Sequence, residues 1–182
     1  EGLHRFVDPA DGQAYTYSQF EVPDARRVYT TFEQPDLKST FTLTVKAPKG
    51  WKVFSNAPTP TPEEEGEAWI YRFATTEVMS TYITAIIAGP YEGTTATLTS
   101  SDGRTIDLGV YARASIVEHL DADEIIEITR QGFEFFEGAY GIAYPFTKYD
   151  QIFVPEYNAG AMENAGCVTF RDAYVFRTRP TE

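Results

Sequence analysis

The sequence predicts a mainly β chain with some α: an antiparallel, sandwich-like β region over residues 1–112 and an α+β region over residues 113–182 that opens with a long helix. Three observations carry this. Apolar and polar residues alternate with a period of two through several runs of the first region. An Asp102-Gly103 dipeptide sits between two such runs, where a tight hairpin turn is favoured. After Ala112 the apolar spacing switches to that of a helix.

In chain order, "TYSQFEV" places Tyr17, Gln19 and Glu21 on one strand face and Ser18, Phe20 and Val22 on the other. "FTLTVKA" sets Phe41, Leu43, Val45 and Ala47 against Thr42, Thr44 and Lys46, the pattern of a half-buried antiparallel strand. "NAPTPTPEEEGEA" has no periodicity and reads as a loop between strands. "WIYRF" directs Trp69, Tyr71 and Phe73 to one side, and "TYITAII" reads as a more continuously buried strand. "TATLTSSDGRTIDLGVY" is the hairpin around Asp102-Gly103. The helix follows, with Asp121 as N-cap and Glu124 completing a capping box. Leu120 and Ile125 form a staple across that cap. Ile125, Ile128, Gly132, Phe136 and Ala139 form its apolar stripe, and Gly141 its stop. "QIFVP", "GCVTF" and "AYVF" are short strands near the end.

Composition removes several functions. Apolar residues make up 42% and aromatic residues 15%, enough for a packed core. The formal charge of −12, from 27 acidic and 15 basic residues, argues against nucleic acid, which needs a basic footprint. No apolar run approaches the roughly 20 residues of a membrane span, so no membrane partner is expected. One cysteine, Cys167, excludes an internal disulfide framework and suits a reducing, cytoplasmic setting.

Most catalytic constellations are missing. His4 and His119 lie over a hundred positions apart and belong to no H-E-x-x-H pair, so no zinc site is expected within the chain. A Cys167–His119 nucleophile pair is conceivable, but Cys167 in "GCVTF" reads better as a small packed residue. Two carboxylates hold interest. Glu163 lies in "NAGAMENAG", where small neighbours let another backbone approach. The Gly160-Ala161 edge there could receive an extended peptide by strand addition. Glu21 alone reads as an ordinary solvated carboxylate.

"YNAGAMENAGCVTF" resembles the exopeptidase signature of the aminopeptidase N family of zinc metallopeptidases, in its actinobacterial form. The "QFE" and "DARR" run resembles the family's first domain, and "EHLDADEIIEITRQGFEFFEGAYGIAYPFTKYDQIFVPE" the opening of its thermolysin-like catalytic domain. The resemblance implies that residues 1–112 are the C-terminal part of the β-rich N-terminal domain and residues 113–182 the N-terminal part of the catalytic domain. It implies an internal segment of a zinc-dependent aminopeptidase that removes N-terminal residues from peptides. Glu163 and Glu21, with Gln19 assisting, then grip the substrate α-ammonium, and Gly160 and Ala161 bind its main chain. The implied substrate-binding set is Gln19, Glu21, Gly160, Ala161, Met162, Glu163 and Asn164, with no catalytic or metal-binding residue. The partners are peptides with a free N-terminal amine. Zinc belongs to the full-length parent, whose H-E-x-x-H is expected further on. The segment itself is expected to bind none, to be inactive and to self-associate through open strand edges. The alternatives are a β-rich peptide- or carbohydrate-binding module without catalysis, and a family relative with epoxide-hydrolase activity.

Overall fold

The computed structural model describes residues 2–178. Strands β1 (Gly2–Val7) and β2 (Ala14–Gln19) form a hairpin with register Gly2↔Gln19 to Val7↔Ala14. β3 (Thr44–Pro48), β4 (Lys52–Ser55), β5 (Glu63–Glu65), β6 (Ala68–Arg72) and β7 (Ile86–Gly89) follow. Then come β8 (Tyr91–Thr99), β9 (Thr105–Arg113), helix α1 (Ala122–Tyr140), β10 (Lys148–Val154), β11 (Ala161–Met162) and β12 (Cys167–Arg171). They build three sheets: a first, antiparallel, β1-β2-β7-β4; a second, mixed, β11-β12-β10-β9-β8; and a third, antiparallel, β3-β6-β5.

The alternation in residues 41–47 holds; in 69–73 Trp69, Tyr71 and Phe73 share the inner side as expected, but Ile70 is buried too. Val45, Tyr71 and Phe73 turn inward to a small core with Val53 and Ala57. The Asp102-Gly103 hairpin also forms, with Gly103 at φ +85° and the Gly103 N–H donating to Ser100 O at 2.9 Å.

Several expectations need correction. "AYVF" forms no strand: Asp172–Tyr174 is a 3-10 turn directly after β12. β2 stops at Gln19, so Glu21 lies in the turn beyond it rather than on a strand face. Pro23 explains this: it offers no N–H to a ladder and restricts Val22 before it. The run 81–87 divides into a 3-10 turn, Thr81–Ile83, and the start of β7. The acidic half of the loop 56–68 forms β5, held against β6 and crossed by exposed Lys46–Glu65 and Arg72–Glu63 pairs. Finally, β8 and β9 join β10 and β12 in one sheet. The sheets therefore divide at Pro90, and the switch of periodicity near residue 112 marks only where a strand gives way to a helix.

The second sheet is mixed because α1 links β9 to β10 as a crossover, which makes that pair parallel. β10 and β12 are also parallel, and only β11 and β8 run antiparallel to their neighbours. One face packs on the first sheet: Tyr15, Tyr17, Phe54 and Ile87 meet Ile152, Val154, Met162 and Cys167. The other face receives α1 through Ile126, against Leu98, Leu108, Val110 and Phe153.

The inner stripe of α1 differs from the expected one. Ile126 and Glu137 are buried, while Ile128, Phe136 and Ala139 are exposed. Asp121 makes no side-chain cap, so the capping box does not form, but Gly141 does end the helix at φ +65°. A buried glutamate on an inner stripe is unusual, and its partners account for it. Glu137 accepts hydrogen bonds from Ser100 Oγ, from the Ser101 N–H at 2.7 Å and from the Tyr144 N–H at 2.7 Å. Burial alone would raise its pKa, but these donors outweigh it and hold the carboxyl below its ordinary value.

Glu137→Gln should therefore destabilise the chain by about 1.5–3 kcal/mol at neutral pH. A group whose folded pKa is depressed stabilises above its unfolded pKa and loses that contribution as pH falls through the folded value. Thermal denaturation of both forms from neutral pH to about pH 3 checks this: the gap should close on acidification. A gap that stays constant removes the charge of Glu137 as its source.

Candidate functional site

The chain leaves β10, passes over to the sheet edge as residues 155–160, forms β11, and returns through Asn164–Gly166 into β12. The strip 158–166 therefore lies at an edge. Among the described residues β11 pairs only with β12, through Ala161↔Phe170 and Met162↔Thr169, and the Arg171 N–H donates to Gly160 O at 3.0 Å. The other side of β11 is open to an extended peptide, as strand addition requires. Gly160 and Ala161 are both exposed there. A Cβ at Gly160 would stand 2.9 Å from the Tyr174 hydroxyl, so glycine lets that ring lie against the strip.

Both ends of the strip are fixed. Before it, Tyr17 donates to Glu156 O at 3.2 Å and packs edge-on to Tyr157, with ring centroids 5.6 Å apart. After it, the buried Lys148 ammonium donates to Gly166 O at 2.7 Å and pairs with Asp150 at 2.7 Å. Gly166 has φ +67°, and a Cβ there would stand 3.0 Å from Asn56 O and 3.2 Å from Lys148 O.

The packing of the two sheets brings the end of β2 to the start of this strip. Gln19, Glu21, Val22, Asp24, Asn158 and Ala159 line one cleft of about 360 Å³. Glu21 is exposed, while Gln19 is only 6% exposed and its Oε1 has no hydrogen-bond partner among the described residues. A buried acceptor left unsatisfied costs free energy unless a ligand or water supplies a donor. An ammonium, with three N–H donors and no acceptor, suits an amide oxygen beside a carboxylate.

Of the expected site residues, Gln19 and Glu21 thus share a cleft with the strip, and Gly160 and Ala161 present their edge. Glu163 is exposed directly after β11 but does not line the cleft. Met162 and Asn164 are a correction: each is 1% exposed, so neither side chain can meet a substrate. Met162 anchors the strip in the inter-sheet core. Asn164 holds the return turn, its Nδ2 donating to Cys167 O at 3.2 Å. The inward alternation of Met162 across the edge strand has this signal in sequence; the turn role of Asn164 does not.

Other chemistry recedes. Cys167 is fully buried, and burial pushes its thiol up to about 12, far from a reactive thiolate. His4 stacks on Tyr17 at 4.9 Å, and His119 lies 3.7 Å from Glu118. Among the described residues no group of three His, Cys, Asp or Glu side chains is placed to hold a metal ion. Tyr15, Tyr17, Tyr71 and Tyr91 are core residues and offer no stacking platform for a sugar. No described helix is long and apolar enough to cross a membrane.

Comparisons with known proteins agree along the chain. The model of the Peptidase M1 N-terminal domain matches residues 1–83, and that of the Peptidase family M1 domain matches residues 124–181. The chain is similar to an aminopeptidase N of Streptomyces lividans, 59% identical over 182 residues, which cover 100% of this chain and 21% of that protein. It is 33% identical over 175 residues to a probable aminopeptidase 1 of Sulfurisphaera tokodaii, covering 92% of this chain and 20% of that protein. It is 32% identical over 159 residues to an aminopeptidase Ey of Gallus gallus, covering 85% of this chain and 16% of that protein. The chain spans a fifth or less of the length of two of these relatives and 21% of the third.

Proposed function

The chain belongs to peptidase family M1, among the aminopeptidase N relatives, and from that premise we propose that it supplies the substrate α-amine recognition part of a zinc-dependent aminopeptidase. One observation carries the reading: Gln19, whose buried Oε1 has no partner among the described residues, lines with Glu21 a cleft whose other wall is the start of the strip bearing Glu163. The α-ammonium of a peptide enters this cleft. Gln19 Oε1, Glu21 and Glu163 accept its three N–H groups, and the peptide main chain pairs with the open edge at Gly160 and Ala161. Charge-assisted hydrogen bonds of this kind contribute roughly 1.5–3 kcal/mol each. An internal stretch of peptide has no ammonium to offer, so the anchor selects chain ends and sets the first peptide bond in one place.

The metal implied by the resemblance does not fit these residues. His4 lies flat on Tyr17, Cys167 is sealed in the core, and the described carboxylates gather with neither. In this reading the zinc ligands come from other residues of the full-length protein.

The test compares the full-length protein with this chain alone. The full-length protein should hydrolyse an aminoacyl anilide and spare its N-acetyl form. The chain alone should hydrolyse neither and keep no stoichiometric zinc after dialysis. Equal cleavage of the acetylated substrate by the full-length protein sinks the amine reading. Chelator-sensitive hydrolysis by the chain alone sinks the division of labour. The chain alone should also self-associate, because Ile128, Phe136, Tyr140 and Ile142 are exposed on and after α1. Sedimentation that shows a strict monomer at high concentration would count against that.

A further inference from the structure

The proposed anchor has parts on different sheets. Gln19 ends β2 of the first sheet with Glu21 just beyond it, and Glu163 follows β11 of the second. Something must hold these parts in register, because an ammonium is small and hydrogen bonds weaken steeply with misalignment. We propose that Asn56 is the positioning residue that sets this register. The inference rests on the amine-anchor reading.

Asn56 follows β4 directly and is 9% exposed. Its Oδ1 accepts from the Ala85 N–H at 2.9 Å. Its Nδ2 donates to Ile83 O at 2.8 Å and to Ala165 O at 2.9 Å. One side chain therefore joins the segment leading into β7 to the residue two places after Glu163. From Ala85 the chain enters β7, whose Ile87 and Ala88 pair with Tyr17 and Thr16 of β2, and β2 ends at Gln19. On the far side, Ala165 leads back through Asn164 to Glu163. The Ala165 N–H also donates to Ile83 O at 3.3 Å, so the two segments meet through backbone as well.

The fit depends on the amide. Both Nδ2 hydrogens meet carbonyl oxygens and Oδ1 meets an N–H, so the side chain is used at both ends. The neighbouring Ser55 Oγ donates to Ala85 O at 2.8 Å and fixes the same segment from β4. Gly166 closes the contact: a Cβ there would stand 3.0 Å from the Asn56 carbonyl oxygen. Asn56 is remote from the reacting bond and faces no cleft of the anchor. Its effect on a ligand must pass through the relative placement of Glu163 and Glu21.

The test uses the full-length protein and two competitive inhibitors that differ only in the α-ammonium, L-leucinamide and 4-methylpentanamide. The ratio of their inhibition constants reads the amine anchor alone. In Asn56→Ala the preference for leucinamide should fall about 10- to 100-fold, with 4-methylpentanamide unchanged. Asn56→Ser is the second variant, should Asn56→Ala fold poorly: it keeps a small polar side chain but cannot span Ala85, Ile83 and Ala165 together. Leu98→Ala is the control. Leu98 packs in the core beneath α1, so its truncation lowers Tm and should leave the ratio alone. Glu21→Gln is measured alongside. If it abolishes the preference while both Asn56 variants keep it, the positioning role is overturned and the anchor stands. If Glu21→Gln also keeps the preference, the anchor and the inference fall together. A ratio that falls equally in Leu98→Ala reduces Asn56 to a general stability residue and overturns the inference.

Discussion

Arg113→Ala should destabilise the chain by about 3–5 kcal/mol, the scale of stripping one partner from a buried ion pair. Arg113 is 7% exposed and lies at the end of β9. Its guanidinium pairs with Asp8, one residue beyond β1, and with Asp172, one beyond β12, at 2.8 Å. It therefore bolts the first sheet to the second at the end of the molecule away from Asn56. Burial tends to raise the Asp8 pKa, but Ser115, the Ala10 N–H and Arg113 hold it below its ordinary value. Burial raises that of Asp172 despite the guanidinium beside it. Removing Arg113 leaves both carboxylates in a place that water reaches poorly. The loss should shrink on acidification, as the carboxylates become neutral. Denaturant unfolding of Arg113→Ala beside the combined Asp8→Asn, Arg113→Met, Asp172→Asn variant tests the cause. The combined variant should be the more stable, because no charge is left unpaired. If the single variant is the more stable, the uncompensated charge is not what destabilises it.

That ion network was invisible in the sequence, since Asp8, Arg113 and Asp172 lie far apart and follow no motif. What was legible had a period. The run around Val45 formed as its alternation required, because one of its faces is buried and the other wet, and the Asp102-Gly103 turn formed as that dipeptide favours. Errors arose where burial occurs on both faces or a polar group is buried. Ser18, Gln19 and Phe20 are all buried, so alternation could not show that β2 ends at Gln19. Glu137 broke the apolar stripe of α1 because its carboxylate is paid in hydrogen bonds from a distant hairpin. The parallel pairing of β10 with β9 and β12 depends on the path of α1, which no local pattern encodes. At the site, the strip and the "QFE" segment were legible through resemblance. The inward turn of Met162 and Asn164 and the bridging amide of Asn56 required the packed sheets.

Glu21→Gln and Glu163→Gln carry the other large effect. Each should weaken binding or turnover of free-amine ligands by about 2–5 kcal/mol at most, the range for truncating one partner of a buried hydrogen-bonded charge pair. Neither change should alter metal content in the full-length protein. If both carboxylates meet one ammonium, their losses should fail to add, with a coupling of about 0.5–3 kcal/mol in a double-mutant cycle. Losses that add within about 0.5 kcal/mol would place the two glutamates on separate parts of the ligand. A Glu163→Gln variant with unchanged amine preference would leave recognition to Gln19 and Glu21 in the cleft.

The most direct measurement is a crystal structure of the full-length protein with L-leucinamide bound. The α-nitrogen should lie about 2.7–3.0 Å from Gln19 Oε1 and from one oxygen each of Glu21 and Glu163. A nitrogen bound elsewhere, or an open Glu163 turned to solvent while the amine sits in place, would contradict the shared anchor.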